Sequence, residues 1–203
     1  VKKKKLPESG LLTSDRDWHN NACLNYMSDH GTAYTEGYRL AADILIRHID
    51  ETARDQDLLV YPVVFLYRHH IELQIKQVTE LARRVLREND PRGSVRGTHN
   101  LNTLWADARG LLLQADDTLA SSNFTLVSTV VKALNEVDLR ATGFRYARTS
   151  EGGRSLEGLH YINTRRFGEQ MAEASDVLDG IDKGLRYLLF LDSEMHGYED
   201  GFS

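Results

Sequence analysis

Two groups of residues in this chain combine the types and spacing that chemistry needs. The first is Arg68, His69, His70, Glu72 and Lys76. Arg68, Glu72 and Lys76 recur every four residues, so on a helix they line up along one side. That line borders an apolar stripe through Ile71 and Ile75. The stripe half-buries the charges, and buried charges must find partners. One outcome is a salt-bridge ladder that fixes helix packing. Another is a polar pocket in which His69 or His70 titrates near neutral pH. Metal binding is a third: His69 and Glu72, three apart, reverse the Glu-x-x-His spacing of bundle metal sites. Such a site needs the motif twice with further carboxylates, and no second copy occurs. No metal and no cofactor is therefore expected.

The second group follows in residues 141–162. Phe144, Arg145 and Tyr146 form an aromatic–arginine–aromatic triplet, with Arg148 close behind. Arg154 and His160 stand six apart before the chain becomes regular again. An arginine held near a histidine suits metal-independent RNA cleavage. The histidine takes or gives the proton at the 2′-hydroxyl or the leaving oxygen, and the arginine neutralises the phosphate as charge builds. Arg145, Tyr146 and Arg148 are expected to help hold the substrate. No glycine-rich phosphate loop, Gly-x-Ser-x-Gly elbow or His-Glu-x-x-His pattern is present.

The elements that must position these groups read as helices. Tyr34, Tyr38, Ala41, Leu45 and Ile49 predict a helix from about Thr32 to Arg54. Val64, Ile71, Ile75, Val78, Ala82 and Val85 predict a second, from Pro62 in its first turn to about Asn89. Asp90, Pro91, Arg92 and Gly93 break it. A third runs from about Asn100 to Gln114 and a fourth from about Asn123 to Leu139. The fourth is rich in β-branched residues, but Val127, Val130, Val131, Leu134 and Val137 keep the helical spacing. The glycine-interrupted stretch 141–162 reads as a long ordered loop, the kind that carries function. The last helix, Thr164 to about Asp192, repeats Phe167, Met171, Ala174, Leu178, Ile181, Leu185 and Leu188 with heptad spacing. That seam fits a bundle core, or a helix pair across a dimer interface. Five helices joined mostly by short loops predict an all-α, compact antiparallel bundle. Residues 31–197 form the domain. An arm over 1–30 is expected to pack on it through Trp18, Leu24 and Tyr26, and 198–203 form a tail.

Composition sets the outer limits. The chain has 203 residues, 41% apolar and 27% charged, which is globular. Its single cysteine, Cys23, makes no internal disulfide and points to a reducing, cytoplasmic setting. No apolar run approaches the roughly 20 residues of a membrane helix. An opening on Val1 suggests that the chain was trimmed or lost its initiator. A net charge of −5 argues against coating nucleic acid through bulk charge, though not against a local basic patch. Two segments qualify: Arg83, Arg84, Arg87, Arg92 and Arg96, and Arg145, Arg148, Arg154, Arg165 and Arg166.

The run Tyr61-Pro62-Val63-Val64-Phe65-Leu66-Tyr67-Arg68-His69-His70-Ile71-Glu72-Leu73-Gln74-Ile75-Lys76 resembles a helix of HEPN-like proteins. Thr98-His99-Asn100-Leu101 with Leu104-Trp105 is similar to the helix start that follows in that group, and brings His99 into the first cluster. Phe144-Arg145-Tyr146 resembles a Phe-Arg-Tyr-Pro element of one branch, with Ala147 where that branch has proline. Tyr34, Gly37, Ala41 and Ala42 fit that branch's first helix. The resemblance covers roughly residues 31–190. It implies an all-α bundle that is usually a homodimer. It also implies RNA cleavage in toxin–antitoxin or phage-defence systems, through an arginine followed four to six residues later by a histidine. Arg154 and His160 match that pattern, with Ser155 where a residue such as asparagine usually stands. RNA or a nucleotide, a second copy of the chain, and an antitoxin or defence protein are the partners this implies. Many members lack the motif and serve as binding or dimerisation modules.

Overall fold

Amphipathic spacing becomes helix over most of the chain. The computed structural model describes residues 14–24, 30–88, 97–116 and 124–199. Among these lie five helices: α1 (His30–Thr52), α2 (Gln56–Val85), α3 (Leu101–Ala115), α4 (Phe124–Val137) and α5 (Thr164–Glu199). No strand occurs among the described residues, so the fold is an all-α bundle. The break at Asp90–Gly93, the arginines at 92 and 96, Tyr26 and the end of the tail lie outside the described residues. Residues 1–30 form a unit of their own, with a short 3-10 turn at Trp18–Asn20. There Trp18 stacks on His19, and Trp18 and Leu24 are exposed.

α2 begins six residues before Pro62, so the proline sits inside the helix and not in its first turn. The carbonyl that loses its donor belongs to Leu58, which is exposed, and water can replace the missing N–H. The link from α1 to α2 is only Ala53, Arg54 and Asp55. Two of these, Ala53 (φ 52°) and Asp55 (φ 64°), are in the left-handed region. Asp55 closes the link by accepting from the amides of Leu58 and Leu59. The α3 start is capped twice. Asn100 accepts from the Thr103 amide, and buried Asn135 of α4 accepts from the Leu101 amide. α4 is a helix, as its spacing predicts.

α2 is the hub and packs against α3 and α5, while α4 packs on α3 and α5. Its stripe of Val64, Ile71, Ile75, Val78 and Ala82 is buried. The heptad seam of α5 is buried too, at Met171, Ala174, Leu178, Ile181 and Leu185, so it forms core. Side-chain bonds between the two helices join His70 to Ser175, Gln74 to Asp179 and Gln77 to Asp182, each pair 105 residues apart. A constant offset means that α2 and α5 run parallel. α3 runs the same way, because His99 meets Glu72 and Asp107 meets Arg83. α1 runs against α2, pairing Thr35 with His70 and Asp43 with Tyr67. α4 runs against α3, as Leu101–Asn135 and Trp105–Ser128 require. The antiparallel order expected from short loops thus holds for α1 and α4. It does not extend to the three central helices.

Residues 141–162 form an ordered connection of turns. Arg148 and Arg154 face each other in an isolated antiparallel bridge around the turn Thr149–Gly153. At Gly143 a Cβ would lie 2.9 Å from Leu156 Cδ2 and 3.2 Å from the Asp138 carboxyl carbon, so a larger residue there must push these side chains aside.

Candidate functional site

The first cluster is built on two turns of α2 and the residue before the α3 cap. Arg68 and Glu72 are 2% and 1% exposed. Arg68 Nη1 donates to Glu72 Oε2 at 3.3 Å, and its Nη2 donates to the His99 carbonyl at 2.8 Å. Glu72 Oε1 accepts from Lys76 Nζ at 2.7 Å and from His99 Nδ1 at 2.9 Å. The ladder expected from the four-residue spacing is therefore present, and His99 completes it from outside the helix. Burial pushes the Glu72 carboxyl up, but the donors from Lys76 and His99 outweigh it and hold the group below its ordinary value. An ionised carboxylate only accepts, so the His99 proton sits on Nδ1. Its Nε2 has no hydrogen-bond partner among the described residues, and the side chain is 61% exposed. Burial pushes the Arg68 guanidinium down, while Glu72 and Asp138 oppose that. It stays charged, since a guanidinium ordinarily holds its proton far above neutral pH.

His69 and His70 point to different surroundings. His69 lies half-buried, edge-on to Tyr38 with ring centroids 4.5 Å apart and parallel to Phe65 at 6.0 Å. Burial lowers its pKa. His70 is fully buried between α1 and α5. Its Nδ1 lies 2.9 Å from the Thr35 carbonyl and its Nε2 2.9 Å from Ser175 Oγ. A carbonyl cannot donate, so Nδ1 carries the proton; the Ser175 hydroxyl, 2.8 Å from the Met171 carbonyl as well, shares its one proton between that carbonyl and Nε2 of the neutral ring. Burial lowers the His70 pKa from 6.5 against the opposing pull of the Thr35 bond. A histidine with a depressed folded pKa binds fewer protons folded than unfolded. Its stabilising effect is complete above about 6.5 and is lost as pH falls towards the folded value. The thermal midpoint is thus expected to fall between pH 7.5 and 5.5, and His70→Gln to flatten that slope. A wild-type midpoint that rises on acidification would mean that His70 is charged in the fold.

The second group lines an open cleft of about 990 Å³ between the α1–α2 corner and the residues leading into α5. Arg154 and His160 both line it, and both are exposed. Neither the Arg154 guanidinium nor the His160 ring makes a hydrogen bond or ion pair among the described residues; His160 only faces Tyr161, with ring centroids 6.5 Å apart. Tyr161 is itself 94% exposed. Phe144, Leu156, Leu159 and Ile162 supply apolar wall, and Arg165 is paired to Asp50 at 3.1 Å. Arg145, Tyr146 and Arg148 are not among the lining residues. Arg145 instead lies over Phe65 of α2 at 5.5 Å and over Tyr146 at 5.1 Å, and donates to the Tyr146 hydroxyl. Arg148 donates to the Gly152 carbonyl and braces the turn.

Asp50, Asp57 and Tyr61 also line the cleft. Starting the second helix at Pro62 hid the signal, since Asp57 and Tyr61 are one turn apart on the same helix. Of the earlier basic segment, Arg83 is tied to Asp107 and Arg87 to Asp192, so these arginines bind the bundle together. No group of three or more metal-ligating side chains occurs among the described residues, and no described helix is long and apolar enough to cross a membrane. No protein-family model, curated protein or solved structure matches the chain significantly.

Proposed function

We propose that this chain is a HEPN-like, metal-independent endoribonuclease that acts through Arg154 and His160. One observation carries the reading: both side chains line the same open cleft, with their polar heads uncommitted to any described residue. His160 takes the proton from a ribose 2′-hydroxyl, the 2′-oxygen bonds to the adjacent phosphorus, and the 5′-oxygen leaves with a proton from water or returned by the histidine. Arg154 stabilises the charge that builds on the phosphoryl oxygens. The same reading carries a homodimer, a cytoplasmic setting and a toxin or defence role as proposals.

A second reading, a non-catalytic HEPN-like module that binds RNA, a nucleotide or a protein, is favoured by one feature. Arg154 and His160 both stand on the irregular connection, before α5 begins at Thr164. Cleavage of single-stranded RNA in EDTA separates the two. His160→Ala and Arg154→Ala are each expected to lower the rate at least roughly 100-fold with unchanged melting. Cleavage that survives His160→Ala would remove the assignment. RNA binding by a wild type that does not cleave would establish the module.

A further inference from the structure

Tyr61 is the last α2 residue that lines the cleft, but the surface of the helix runs on beyond it. Asp57 and Tyr61 line the cleft, and the same face of α2 continues through Phe65 and His69 at four-residue steps, then to Lys76. The connection lays Arg145 against this face at Phe65, with Tyr146 against Arg145. His99 closes its far end, held by Glu72 and by the Arg68 bond to its carbonyl. We propose that this face, from Tyr61 to Lys76 with Arg145, Tyr146 and His99, is the track of an extended single-stranded RNA whose reacting phosphate lies in the cleft. The proposal rests on the ribonuclease reading and adds where the rest of the substrate runs.

The chemistry along the face fits such a strand. Tyr146 is 54% exposed, and the Arg145 guanidinium lies 5.1 Å from its ring centroid and 5.5 Å from that of Phe65. Aromatic and guanidinium planes stack on unpaired bases whatever their identity. His69, braced by Tyr38 and Phe65, has no hydrogen-bond partner for its ring nitrogens among the described residues. It can meet a base edge or a 2′-hydroxyl. At the far end Glu72 is buried beneath its own donors. The surface therefore presents the Lys76 ammonium and the free edge of His99, groups that suit a phosphate and a sugar hydroxyl. Tyr61 to Lys76 spans about 22 Å of helix, room for roughly four nucleotides, at the small end of single-strand sites.

The test is binding of labelled 2′-O-methyl oligouridylates of two, four, six and eight nucleotides, which cannot be cleaved because the nucleophile is blocked. Affinity is expected to rise with length up to about four to six nucleotides and then level off. Tyr146→Ala is expected to weaken hexamer binding roughly 10-fold or more, and His99→Gln, which keeps a donor to Glu72, by several-fold. Neither should change dinucleotide binding, and melting curves verify that both variants fold. Equal affinity for dimer and hexamer, or a hexamer insensitive to both variants, would overturn the track. The cleft reading would still stand if RNA cleavage depends on His160. Failure to bind any length would overturn the track, and the ribonuclease reading would fall with it only if the wild type also leaves unmodified RNA uncleaved.

Discussion

Replacing Glu72 with alanine is expected to lower the thermal midpoint by roughly 10 °C. Glu72 is 1% exposed and takes three donors, from Arg68, Lys76 and His99. Removing it leaves the Arg68 guanidinium buried with a single bond, to the His99 carbonyl. Its Nε already lacks a partner. Breaking a buried pair from one side costs about 3–5 kcal/mol, because the stranded charge has lost both water and counter-charge. For a chain of this size each kcal/mol moves the midpoint by about 2–4 °C. Glu72→Gln should cost less, since the amide oxygen still accepts, yet it cannot offset the arginine's charge. Lys76 and His99 lose a partner too, but both reach solvent, so their share is small. Calorimetry on the two variants and on Arg68→Met with Glu72→Leu combined decides the mechanism. A double variant more stable than Glu72→Ala would place the cost in the stranded charge. A Glu72→Ala midpoint equal to wild type would mean that the ladder does not hold the fold.

Leu178→Ala is expected to cost about 2–5 kcal/mol. Leu178 is fully buried in the seam that α5 turns toward the core, among Ala174, Ile181 and Leu185. Alanine removes three carbons that the surroundings cannot replace. The close-packed interior relaxes only in part, so the lost transfer energy and the cavity add. Denaturant unfolding should show a lower midpoint with an unchanged slope. Val177, its half-buried neighbour, provides the control: Val177→Ala should cost clearly less. A loss of dimer signal with little loss of stability in Leu178→Ala would return the seam to an interface role.

The helices were legible because their signal is local. A stripe that repeats every three or four residues depends only on the residues within it, and it identified α4 as helix despite its valines. Pro62 misled because the cost of an interior proline depends on whether the orphaned carbonyl reaches water. That is a property of Leu58's position in the fold. The line of Arg68, Glu72 and Lys76 was legible for the same local reason, whereas its fourth member entered only through the family resemblance and not through spacing. His99 lies 27 residues from Glu72, and only the packing of α3 along α2 brings it there. Arg154 and His160 could be picked out by type, but their common cleft depends on the α1–α2 corner opposite. Arg145 and Tyr146 went to a different surface from the one expected. Phe144 is buried at the cleft wall, while Arg145 lies over Phe65 and Tyr146.

The fixed offset of 105 residues between α2 and α5 has a consequence for how the chain is made. The hub helix leaves the ribosome with its apolar stripe uncovered, and its main partner is still unsynthesised. At about 5–20 residues per second the wait is roughly 5–20 s. During that interval α1 and then α3 can dock, because their contacts close loops of about 24–35 residues. The buried polar bonds from His70 Nε2 and from Gln74 to α5 cannot form, since Ser175 and Asp179 do not yet exist. Nascent chains stalled before residue 164 should thus carry an open half-bundle, and release of α5 should close it in one late step.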